Sequence, residues 1–133
     1  MSREEAAIVE DARSFLDELL VAGVPIQNLL RTGTFPDGWA DRYLAFVERV
    51  SAHYGRESPL PREVLAVVYS ASVYCTKRYF DWQRHSGGVN DVTEATVTEV
   101  RWAGDRLVLG QYWEGDPGTE NVPSGPSLIR RTQ

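Results

Sequence analysis

The chain carries a single cysteine, Cys75, which excludes an internal disulfide. With no basic, apolar leader at its start, the sequence reads as that of a protein from a reducing compartment, and the cytoplasm is the expected location. Long apolar runs are missing too. The longest is interrupted by Ser70 and Ser72 and falls short of the roughly 18 residues that a membrane span needs, so no membrane insertion is expected. Basic charge is in deficit, with 14 Lys and Arg against 19 Asp and Glu and a net charge of −5. The cations are mostly arginine and scattered among carboxylates, whereas a nucleic-acid surface needs them clustered against phosphates. No nucleic acid is expected, and an acidic surface steers toward a basic partner.

Motifs that carry chemistry are equally sparse. The two histidines, His53 and His85, stand apart, and neither His-x₃-His nor Cys-x₂-Cys spacing occurs, so no metal and no cofactor is expected. Ser86-Gly87-Gly88 follows a helical pattern instead of opening one, and no Gly-Lys-Ser or Gly-Lys-Thr accompanies it, which removes the phosphate cradle. Gly-x-Ser-x-Gly is absent, and with it the hydrolase elbow. Glu63, Asp81 and the pairs Glu4-Glu5 and Glu10-Asp11 read as solvated helix faces, since acid–base chemistry needs carboxylates held in a cleft. Cys75 sits on an apolar stripe between Ala71 and Tyr79, the place of a small hydrophobe and not of a nucleophile.

What is present is helical grammar in the first two-thirds. Ser2 and Glu5 form a Ser-x-x-Glu capping box, behind which Ile8, Ala12, Phe15 and Leu19 predict a helix over residues 3–22, stopped by Gly23. A short turn follows from Pro25 through Ile26, Leu29 and Leu30. Asp37 is placed to cap a second helix with Tyr43, Phe46, Val47, Val50 and Tyr54 on one side and Asp41, Arg42, Glu48 and Arg49 on the other. Pro59 and Pro61 open a third, whose stripe is Val64, Val68, Ala71, Cys75, Tyr79 and Trp82. That run, 62–82, is apolar on most of its circumference, the mark of a central element.

The pattern then changes. A polar connector over 83–91 leads into Val, Thr, Trp and Tyr at strand-like spacing over 92–113, predicting two strands joined at Gly104-Asp105. Trp102 would pair with Leu107, Val100 with Leu109, and Val97 would lie opposite Tyr112. Residues 114–133 have linker composition, with Leu128 and Ile129 able to add a third strand. The expected architecture is one α+β domain over 1–133: three main helices (1–82), then a two- or three-stranded antiparallel hairpin (92–113) packed on them.

With no catalytic signature, the expected function is non-enzymatic: an interaction module that self-associates or binds a protein partner. Surplus aromatics among arginines are the residue types that anchor interfaces. The alternative is a small-ligand pocket or an enzyme site between the third helix and the hairpin. The candidate interface or pocket residues are Tyr74, Arg78, Tyr79, Trp82, Arg101, Trp102, Tyr112 and Trp113.

Overall fold

The computed structural model describes residues 2–56 and 58–110. α1 (Arg3–Leu16) begins at the capping box: Ser2 Oγ accepts from the Glu5 N–H at 3.0 Å, and Glu5 Oε1 accepts from the Ser2 N–H at 3.4 Å. It continues as π-helical turns, Asp17–Ala22, and ends at Gly23. α2 (Val24–Thr32) has its proline in the first turn, where a missing N–H costs nothing. α3 spans Trp39–Tyr54. α4 (Arg62–Ser70), a π-helical segment (Ala71–Cys75) and α5 (Thr76–Ser86) join without a break in right-handed helical geometry, giving one long rod. α6 is Asp91–Leu109.

The expected hairpin is thus overturned: no strand occurs among the described residues, and the fold there is all-helical, not α+β. Where two strands and a Gly104-Asp105 turn were expected, 19 residues form one helix. Its start is written in Asn90, whose side chain accepts from the Thr93 N–H at 3.1 Å. Its buried positions, Thr93, Val97, Val100, Gly104 and Leu107, recur every three to four residues, the helical period and not the alternation of a strand. Val and Thr enrichment is a weak preference that packing overrides. Gly104 is no turn: a Cβ there would lie 2.8 Å from Val68 Cγ1 and 2.9 Å from Ser72 Oγ, so the glycine lets α6 press against the long rod. The strand pairings of Trp102 with Leu107 and of Val100 with Leu109 do not exist. Tyr112, Trp113 and the tail 114–133 lie outside the described residues.

Side-chain bridges fix how the rods run. Glu5 accepts from the Tyr54 hydroxyl, Asp11 from Arg49 and Glu18 from Arg42, so α1 and α3 are antiparallel. Glu94 pairs with Gln83 while Gly104 abuts Val68, so α6 is antiparallel to the long rod. α3 and α6 share a sense, since Arg56 just beyond α3 donates to the Gly110 carbonyl just beyond α6 at 3.1 Å. A connected core fills the centre, from Ile8, Phe15 and Leu19 through Tyr43 and Val50 to Val64, Cys75, Tyr79 and Val100. Trp39 and Phe35 are absorbed here. Trp39 is buried, stacks on Tyr43 at 5.4 Å and on Phe35 at 5.6 Å, and donates its indole N–H to Glu18 at 2.8 Å. No helix among the described residues is long and apolar enough to cross a membrane.

Candidate functional site

Because α3 and α6 run in the same sense, each presents one face to the other, and an open groove of about 720 Å³ lies between them. On α3, Asp41, Leu44, Ala45, Glu48 and Ser51 line it, at steps of three and four that keep them on one side of a helix. On α6 the same spacing brings Glu99, Trp102, Ala103 and Arg106 into line. The floor is apolar, made by Leu44, Val47, Ala103 and Leu107. The rim carries three carboxylates, Asp41, Glu48 and Glu99, against one guanidinium, Arg106. All three acids are exposed, and none forms an ion pair with a described residue.

Trp102 gives the groove a specific donor. Its indole Nε1 is buried and has no acceptor among the described residues. A buried unpaired donor costs about 1–3 kcal/mol, recovered when an acceptor is supplied. The ring itself is partly exposed and lines the groove.

The residues expected to form one pocket are dispersed. Tyr79 is a core residue with no exposure; its hydroxyl donates to the Asn90 carbonyl at 3.1 Å and accepts the Asn90 N–H at 3.0 Å, locking the start of α6 to α5. Trp82 tilts against Tyr79 at 5.6 Å and lies so close to Gly33 that a Cβ there would sit 2.5 Å from its ring. Arg78 donates to Asp81 at 3.0 Å. Tyr74 is exposed on the π-helical segment. Arg101 is partly buried on α6, with its Nε unpaired, and Trp102, one residue on, faces α3. Tyr79, Trp82 and Arg78 therefore share a neighbourhood, whereas Trp102 belongs to the α3–α6 groove.

A second surface lies on the long rod. Leu65, Tyr69 and Val73, four residues apart, are exposed at 41, 62 and 38 %. Lys77 continues the line and Arg62 precedes it, so this face is apolar in the middle and basic at both ends. The wider turn of the π-helical segment slows the drift of a four-residue repeat and keeps Tyr69, Val73 and Lys77 in register. Positive charge is in excess at the far end: Lys77, Arg78 and Arg84 all donate to the one carboxylate of Asp81. Burial pushes that carboxyl up, but the hydrogen bonds from Arg78 and Lys77 and the charges of Lys77 and Arg84 outweigh it and hold the pKa below the ordinary carboxylate range. The sequence reading placed Asp81 on a solvated face; it is 7 % exposed.

Asp41, Glu48, Glu99 and Arg106 are not among the candidate site residues of the sequence reading. The first two were visible as the polar side of α3, and the other two were hidden because a strand pattern scatters residues that a helix aligns. Among the described residues no cluster of His, Cys, Asp and Glu suited to a metal ion occurs. No protein-family model, curated protein or solved structure matches the chain.

Proposed function

We propose that this chain is a protein-interaction module whose α3–α6 groove receives an apolar segment flanked by Lys or Arg from a protein partner. The observation that carries the reading is the groove's composition: an apolar floor, three carboxylates on the rim and the indole N–H of Trp102, all four polar groups without a partner among the described residues. Apolar burial supplies affinity. The acidic rim selects a basic partner and repels phosphate backbones, and the indole N–H rewards an acceptor. The lone, buried Cys75 suits a reducing compartment such as the cytoplasm.

The alternative of a small-ligand pocket has weaker support, because Tyr79 and Trp82 are interlocked with each other and with Gly33 and Asn90 instead of lining a cavity.

A selection from a random peptide library displayed on phage tests the reading with the full-length chain as bait. Enriched peptides should carry two or more apolar residues beside Lys or Arg, and should lose binding to the Glu48→Lys/Glu99→Lys variant. Enrichment of acidic peptides, or binding indifferent to those substitutions, would overturn it.

A further inference from the structure

The partner chemistry argued for the α3–α6 groove is present on this same molecule. We infer that the groove of one copy receives the Leu65–Tyr69–Val73 face of the long rod of a second copy, in a head-to-tail contact. The inference rests on the groove reading above and names its occupant.

Three features match. Leu65 to Val73 spans about 12 Å along a helix at 1.5 Å per residue, and the α3 residues that line the groove, Asp41 to Ser51, span about 15 Å, so the groove is long enough to take the apolar face. The charges are opposite in sign: exposed Arg62 and Lys77 flank the apolar face, while Asp41, Glu48 and Glu99 outnumber Arg106 on the rim of the groove. The hydrogen-bonding complement is present as well. Tyr69, the most exposed residue of the face at 62 %, carries a hydroxyl that can accept from the unpaired Trp102 indole N–H. A helix laying an apolar face into a groove is a recurrent recognition mode, read as anchors at steps of four.

Groove and face are different surfaces of one chain, so the contact is heterologous. Unlike a two-fold dimer, it leaves a free groove at one end and a free face at the other, and it propagates into a ring or an open chain. This gives a test that a two-fold interface fails. Full-length Glu48→Lys/Glu99→Lys lacks a competent groove and keeps its face; full-length Tyr69→Glu lacks the face and keeps its groove. All three substituted side chains are exposed, and unchanged circular dichroism would establish that the variants fold.

In sedimentation equilibrium the wild-type chain should show a mass that rises with concentration past that of a dimer. Each variant alone should stay monomeric over the same range, its dissociation constant raised at least about tenfold by like-charge or buried-charge repulsion. An equimolar mixture of the two variants should form a 1:1 heterodimer and nothing larger, because one competent groove and one competent face remain. A wild-type chain that is monomeric throughout would overturn the inference. So would a mixture that stays monomeric, or variants that associate as the wild type does. Peptide selection with a monomeric wild-type chain would leave the groove reading standing without a second copy; failure of both would remove both.

Discussion

Replacing Gly33 by alanine separates a backbone effect from a packing effect, because a matched control stands elsewhere in the chain. Gly33 and Gly87 each end a helix with positive φ, +70° and +75°, and each donates its N–H to the carbonyl four residues back, of Leu29 and Gln83. An L-residue in that left-handed conformation costs about 1–2 kcal/mol. At Gly87 nothing lies within 4 Å of an added Cβ, so Gly87→Ala should lose about that much and no more. At Gly33 the Cβ would meet three ring atoms of Trp82 at 2.5–2.6 Å, at the fused edge of the indole and not at a flexible tip. Forcing atoms into a packed site costs a further 1–3 kcal/mol or so. Gly33→Ala should therefore destabilise by about 2–5 kcal/mol, exceeding Gly87→Ala by about 1–3. Urea unfolding at 25 °C followed by circular dichroism measures both, and the near-ultraviolet signal should change for Gly33→Ala alone as Trp82 is displaced. Equal losses for the two variants would refute the contact between α2 and α5.

Further outcomes follow from the same geometry. Gly104→Val should destabilise by about 1–3 kcal/mol in urea unfolding, since its side chain would drive Val68 and Ser72 away from α6; a stabilised protein would argue for a strand. Burial pushes the Cys75 thiol up to about 12, so at pH 8 only about one part in 10⁴ is thiolate; a disulfide reagent should label the native protein only as fast as it unfolds, and rapid labelling would contradict the core position. Asp81 is held below the ordinary carboxylate range, so it binds its proton less readily in the folded chain than in the unfolded one. Its contribution is complete above that range and is lost as pH falls through and below it. Acid titration should therefore destabilise the wild type more than Asp81→Asn, and parallel pH profiles would refute the role of the Lys77, Arg78 and Arg84 cage.

The helical parts were legible where local chemistry and burial agreed. Ser2 and Glu5 announced α1, Gly23 its end, and the stripe Val64, Val68, Ala71, Cys75 and Tyr79 the central rod. Residues 91–109 misled because Val92, Val97, Val100, Thr96 and Thr98 carry the β-branched signature of a strand, while the reason for a helix is tertiary: the closeness of Gly104 to Val68 and the anchoring of Asn90 by Tyr79. Thr96 and Thr98 ease the conflict by donating their hydroxyls to the carbonyls of Val92 and Glu94 four residues back, a helical habit that sequence alone does not reveal. With α6 read as strands, Glu99, Trp102 and Arg106 could not be seen to share a face, so the groove was invisible. Trp102 is among the candidate residues of the sequence reading, which seeks its neighbours on the long rod; in the structure they lie on α3.

The groove's role is tested most directly by the indole N–H of Trp102. Two-dimensional ¹H–¹⁵N spectra of the full-length chain, with the Trp102 cross-peak assigned by its loss in Trp102→Phe, should be recorded as a library-selected apolar–basic peptide is added. The Trp102 indole resonance should move downfield as its proton gains an acceptor, while those of Trp39, already bonded to Glu18, and of Trp82, packed beneath Gly33, stay in place. A Trp102 resonance that does not respond while peptide binds, or that moves no more than those of Trp39 and Trp82, would contradict the assignment of the α3–α6 groove as the binding face.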